Sequence, residues 1–362
     1  MKTVLVVFGT RPEVIKMAPV VCRLRQSRVL KPVICVTAQH RQMLDQMLET
    51  FAIEPDFDLD LMTDRQTLPH LTAQILQGVT AVLQQVHPDF VLVQGDTTSC
   101  FSAALAAFFS GIPTGHVEAG LRTRDKRSPF PEEMNRRLTS HLCDLHFAPT
   151  VEARDNLLNE GTPPERIFVT GNTIVDALTG MLNHSPPEIA GICWECDTVL
   201  LVTAHRRENW DEMSQICGAL RRLALLEEKL QIVFPVHANP RLAELIQAEL
   251  GAESRIHLLP HLPYPQFVAL MQRCRLVISD SGGIQEEVVT LNKSMIILRD
   301  STERPEIVDS GFGVLTGTNP DAIVHAVQTV LHDPLPAIRK NPFGDGHAAE
   351  RIVQHLEVAL RS

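Results

Sequence analysis

The sequence has no apolar run long enough to cross a bilayer; the roughly 20 uncharged positions of a spanning helix are nowhere met, which excludes a helical membrane protein. No secretory leader is expected, because the apolar run in MKTVLVVFGTRPE lasts only five residues before glycine and arginine interrupt it. Positive charge is scarce. With 33 Lys and Arg against 43 Asp and Glu, the net charge of −10 excludes an extended nucleic-acid face, although a local anion pocket stays open. The eight cysteines show no disulfide spacing. Cys193 and Cys196 form one C-x-x-C pair, but no second Cys or His set completes a zinc site, and the pair precedes a strand instead of opening a helix after one. Neither G-x-G-x-x-G nor G-x-x-x-x-G-K-S/T occurs, so dinucleotide and P-loop sites lack support. These absences predict a cytoplasmic protein with reduced cysteines, no metal and no cofactor.

What is present is a repeated α/β pattern. At 362 residues, with 44% hydrophobic and 21% charged, the chain is long enough for two cored domains. Short β-branched runs, TVLVVF, KPVICVT, DFVLVQG, PTGHVE, LHFAP and RIFVTG, alternate with amphipathic helical stretches. After about residue 172 the pattern restarts with DTVLLVTA, QIVFPV, RIHLLP, LVISD, MIILR and GVLTG. The reading is two Rossmann-like, doubly wound parallel-sheet domains, residues 1–171 and 172–345, facing a cleft. The stretch 346–362 reads as an amphipathic helix that returns to brace either domain.

Polar residues gather just after strands, where open α/β sheets bind ligands. Strand one exits into FGTRPEVIKMAP, where Arg11, Lys16 and a helix N-terminus suit a phosphate; the same residues also suit an ordinary first helix. ISDSGGIQEE sets Ser281, Gly282 and Gly283 at the head of a helix, which suits a diphosphate, and Glu287 one turn on suits ribose hydroxyls. RDSTERPE adds Arg304. Three acids follow strands or a stiffened loop: Asp96 in QGDTTS, Glu118 in HVEAGLRT and Glu132 in SPFPEE. Singly, each reads as a helix cap or an arginine partner; gathered beside an anion they become usable acids and bases. His205 in TAHRREN, His237 in PVHANP and His40 in TAQHRQM repeat the strand-end theme, suiting either phosphate contact or a backbone hydrogen bond.

These motifs, in order over nearly the whole chain, resemble the non-hydrolysing UDP-N-acetylglucosamine 2-epimerases, whose fold is the two-domain glycosyltransferase-B type. The resemblance implies interconversion of UDP-GlcNAc and UDP-ManNAc by elimination of UDP to 2-acetamidoglucal and re-addition, feeding surface polysaccharide synthesis. It implies catalytic work for Asp96, Glu118, Glu132 and His205. Arg11, Lys16, Arg136, Phe267, Ser281, Gly282, Gly283, Glu287 and Arg304 become substrate-binding residues, with Phe267 on the uracil. It further implies a homodimer, and a second UDP-GlcNAc held as activator by Gln39, His40, Gln42, Arg65 and His237. The chain departs from the family pattern at Gln94-Gly95-Asp96, where the common residues are His-Gly-Asp, and at Arg127, where tyrosine is usual.

Overall fold

The computed structural model describes residues 1–38, 41–63, 66–182, 185, 187–195, 197–206, 209–226, 229–236, 239–332 and 340–361, apart from the side chains of Gln42 and Met43. The chain forms two compact units, Met1–Thr179 with Phe343–Ser362, and Gly180–Pro342.

The first unit holds strands β1 (Lys2–Phe8), β2 (Leu30–Val36), β3 (Phe57–Asp58), β4 (Phe90–Gln94), β5 (Thr114–Val117), β6 (Leu145–Ala148) and β7 (Ile167–Val169). They pair in parallel in the order β3-β2-β1-β4-β5-β6-β7. Val4 to Phe8 are fully buried, as a strand covered on both faces requires. Two-residue β3 at the edge has no counterpart among the strands expected from sequence. Helix α1 (Arg11–Gln26) follows β1; Pro12 is tolerated in its first turn, and Val14, Met17, Val21 and Leu24 recur at helical spacing on its buried face. Helices α2 (Arg41–Thr50), α3 (Leu68–Val86), α4 (Thr98–Phe109), α5 (Glu132–Leu142), α6 (Val151–Asn159) and α7 (Thr173–Thr179) complete the run.

The second unit holds β8 (Thr198–Thr203), β9 (Leu230–Pro235), β10 (Ile256–Leu259), β11 (Leu276–Ser279), β12 (Ser294–Ile297) and β13 (Gly313–Leu315), with helices α8 (Met213–Leu226), α9 (Pro240–Leu250), α10 (Tyr264–Arg273), α11 (Gly282–Thr290), α12 (Glu306–Asp309) and α13 (Pro320–His332). Its parallel sheet runs β10-β9-β8-β11-β12-β13. Both sheets reverse strand order once, at β1/β4 and at β8/β11. The turns leaving those four strands bound each unit's crevice, the usual place for a ligand in open α/β sheets.

The last helix, α14 (Ala348–Ala359), belongs to the first unit. Asp176 of α7 accepts hydrogen bonds from Ala348 N (3.2 Å) and Ala349 N (2.9 Å), so a carboxylate sits at the positive end of α14. Burial raises the Asp176 carboxyl above its usual range, against the opposing pull of those amides. Asn172 N donates to Phe343 O at 2.7 Å, and Gly171, with φ +89°, lets the returning chain pass; a Cβ there would sit 3.2 Å from the Phe343 oxygen. No described helix is long and apolar enough to cross a membrane.

Candidate active site

At the first switch point the backbone amides of the β1 turn are already engaged. Glu13, fully buried in the first turn of α1, accepts from Gly9 N (2.9 Å) and Thr10 N (2.8 Å), and through its other oxygen from the Thr97 hydroxyl at 2.7 Å. What this turn offers an anion is therefore side-chain charge from Arg11 and not the Gly9 and Thr10 amides. Lys16 is also committed: its buried ammonium donates to Glu118 Oε1. Glu118, at the end of β5 and in a left-handed conformation (φ 65°), further accepts from the Gln94 amide and from Asn172 Nδ2 at 3.2 Å. Gln94 thus supplies an amide donor to the carboxylate.

Asp96 follows Gly95 at the end of β4, next to β5 in the sheet. Its Oδ2 lies 2.6 Å from Arg136 Nη2, and its carbonyl accepts from Asn135 Nδ2 at 3.0 Å. Arg136 lies four residues after Glu132, hence on the same side of α5. The two neighbouring glutamates divide their work. Glu133 is fully buried, accepts from Thr123 N at 3.1 Å and stands 3.5 Å from Arg136, so it ties the preceding loop. Glu132 is only half buried. Ser128–Pro129 and Phe130–Pro131 are both cis, and Phe130 between the prolines is exposed.

Beneath these turns His116 is buried and donates through Nε2 to Gly95 O at 2.7 Å; a carbonyl only accepts, which sets the tautomer. Burial lowers its pKa to about 4 and that of neighbouring His146 to about 3, so both are neutral in the fold. Burial raises Glu13 to about 7 against the hydrogen bonds it accepts. The signs oppose. From pH 6.5 down to about 4 the unfolded chain takes up protons that the two folded histidines refuse, so acidification destabilises. Between 4.5 and about 7 folded Glu13 holds a proton that the unfolded chain does not, so acidification stabilises through that group. Two histidines outweigh one glutamate: the urea midpoint is expected to fall between pH 6.5 and 4.5, and His116→Asn to flatten that dependence. An unchanged slope in the variant refutes the assignment.

In the second unit Asp280, fully buried at the end of β11, accepts from His205 N (3.0 Å), Arg206 N (2.9 Å) and Asn209 Nδ2 (3.2 Å), and its Oδ1 lies 3.4 Å from His205 Nδ1. The His205 side chain is nevertheless 42% exposed. Ser281 caps α11. A Cβ at Gly282 would lie 2.6 Å from Glu303 Oε1 and 2.9 Å from Arg304 Nη1, whereas the space beside Gly283 is open. Arg304 is buried, with Nε on Glu286 (2.5 Å) and Nη1 on Glu303 (2.6 Å). Burial pushes the Glu303 carboxyl up, but Arg304, Arg299 and Arg206 outweigh it and hold the group well below the carboxylate range. Glu287 accepts from the Tyr264 hydroxyl at 2.9 Å, and Phe267, nearly buried, lies one turn along α10 from Tyr264.

Within the first unit the predicted residues Lys16 and Glu118 pair, as do Asp96 and Arg136; within the second, Gly282 and Arg304 adjoin, and Tyr264 links the helices carrying Glu287 and Phe267. Gln39, His40, Arg65 and His237 lie outside the described residues, as do the side chain of Gln42 and Cys196. Glu13, Asn172, Tyr264, Asp280 and Glu303 were not foreseen. Only Glu13 left a local signal, the T-x-x-E spacing of Thr10 and Glu13 at a helix start.

Two doubly wound parallel units in one chain, each with polar residues at its switch point, define the glycosyltransferase-B class of fold. Residues 22–357 match the family model for UDP-N-acetylglucosamine 2-epimerase. A UDP-N-acetylglucosamine 2-epimerase of Yersinia pestis is 48% identical over 98% of this chain and 98% of its own. Among solved structures, S. aureus MnaA with UDP superposes with TM-score 0.93 at 43% identity, covering 100% of this chain and 97% of that one. The UDP-GlcNAc 2-epimerase of Neisseria meningitidis, bound to UDP-GlcNAc, gives 0.91 at 42% identity over 98% and 100%. The chain belongs to the UDP-N-acetylglucosamine 2-epimerase family.

Proposed function

We propose that the protein interconverts UDP-GlcNAc and UDP-ManNAc by inverting C2 of the sugar without net hydrolysis. The observation that carries this reading is the set of acids at the carboxyl edge of one sheet, Asp96, Glu118 and Glu132, with Asp96 and Glu118 each beside a buried cation. Whole-chain similarity to relatives solved with UDP and with UDP-GlcNAc supports the substrate.

C2 has no adjacent carbonyl, so its proton is too weakly acidic for direct removal by a carboxylate. The C1–oxygen bond must first yield, its electron pair leaving with UDP and positive charge building at C1. A carboxylate then takes the C2 proton, and the C2–H pair becomes the C1=C2 bond of 2-acetamidoglucal. Proton delivery to the opposite face of C2 and return of the diphosphate oxygen to C1 complete the inversion. In this scheme His205, Arg11, Arg304 and the start of α11 at Ser281 to Gly283 stabilise charge on the leaving diphosphate. Phe267 and Glu287 hold uridine. Asp96, Glu118 and Glu132 serve as acid, base or charge stabiliser. The glycal must be kept from water until UDP returns.

The test is incubation with UDP-GlcNAc in deuterated water. Deuterium at C2 of both epimers is the expected result. Free ManNAc and UDP would indicate a hydrolase, and tight binding without exchange a nucleotide-sugar sensor. The proposal includes a homodimer, product use in surface polysaccharide synthesis, and activation by a second UDP-GlcNAc. UDP-ManNAc alone should then turn over slowly until a trace of UDP-GlcNAc is added.

A further inference from the structure

We propose that Glu13 is a positioning residue for this reaction, its buried carboxylate clamping the turn that carries Arg11 to the turn that carries Asp96. The inference rests on the epimerase reading above. β1 and β4 are neighbours in the sheet, but their hydrogen-bond ladder ends with the strands, and the turns beyond need another tie. Glu13 provides it. Oε2 takes the Gly9 and Thr10 amides, immediately before Arg11; Oε1 takes the hydroxyl of Thr97, immediately after Asp96. Thr97 Oγ1 in turn accepts from Cys100 N at 3.0 Å and so caps α4. The clamp reaches 84 residues along the chain and has little slack. Gly9 is packed so closely that a Cβ would fall 1.8 Å from Thr37 Oγ1 and 2.5 Å from Ser99 Oγ, two hydroxyls themselves bonded at 2.7 Å across β2 and α4.

The chemistry of the clamp sets its test. Above about pH 7, where Glu13 is ionised, its carboxylate only accepts. Glutamine can reproduce the pattern, with its carbonyl oxygen toward Gly9 and Thr10 and its amide donating to a lone pair of Thr97 Oγ1; alanine cannot. Glu13→Ala is expected to lower kcat about 10²-fold, the scale of a displaced catalytic group, with KM for UDP-GlcNAc changed less than about threefold. Glu13→Gln should restore kcat to within about fivefold, and Thr97→Val, which removes the hydroxyl arm together with the cap it gives α4, should cost about tenfold. If Glu13→Ala fails to fold, Thr97→Val carries the decision. Wild-type kcat in Thr97→Val, or Glu13→Gln as impaired as Glu13→Ala, overturns the proposal. Deuterium exchange by the wild-type enzyme, run alongside, separates failure of the clamp from failure of the epimerase reading.

Discussion

Glu118→Gln is expected to lower C2 proton exchange by roughly 10²- to 10⁴-fold while UDP still binds, and Asp96→Asn and Glu132→Gln to fall in the same range. The amide keeps the shape of the carboxylate and can still accept from Lys16, and the facing Gln94 amide can turn its oxygen to meet the new donor; Lys16 loses its counter-charge, so Glu118→Gln should also lower stability, and exchange is compared on the folded variant. At the working position the capacity to take or give a proton goes. Because the residues assigned to the diphosphate include Arg304 and the start of α11 in the second unit, UDP affinity measured by calorimetry should move little. Turnover within about threefold of wild type in all three variants would sink the mechanism.

Lys16→Met is the second large effect, and it separates two roles for one cation. The helix-start reading gave Lys16 to the substrate phosphate; the structure sets its ammonium on Glu118, with both side chains buried, 7% and 6% exposed. Removing one partner of a buried pair leaves the other charge uncompensated, at a cost of about 3–5 kcal/mol. Lys16→Met should therefore lower stability by about that amount and kcat with it. Lys16→Met combined with Glu118→Gln should regain most of the stability, since no lone charge stays buried, while remaining inactive. A phosphate-binding lysine predicts otherwise: stability unchanged, KM raised and UDP bound more weakly. Additive stability losses in the double variant would refute the pairing.

The sheets were legible because buried parallel strands read as short β-branched runs, and a run such as DFVLVQG announces both a strand and the acid at its end. Asp96 and Glu118 could be picked out for that reason, and Glu132 because two prolines precede it. β3 could not, since two residues carry no periodicity and only its edge pairing with β2 makes it a strand. The partners of the site residues were hidden for a different reason. Asn172 meets Glu118 from 54 positions away, and Asp280 meets the His205 turn from 75, so neither contact leaves a local pattern. The same holds for Lys16, whose place at a helix start suggested a ligand while its actual partner lies 102 residues downstream.

The docking of α14 on the first unit has a bearing on biosynthesis. In topological terms Gly180–Pro342 is an insertion within the other unit, and Phe343, where the chain returns, is hydrogen-bonded to Asn172, ahead of α7. Domains usually mature in the order in which the ribosome releases them. Here the lobe begun first is finished last, because its α1 and α7 surface stays uncovered until the whole inserted lobe and the closing helix have emerged.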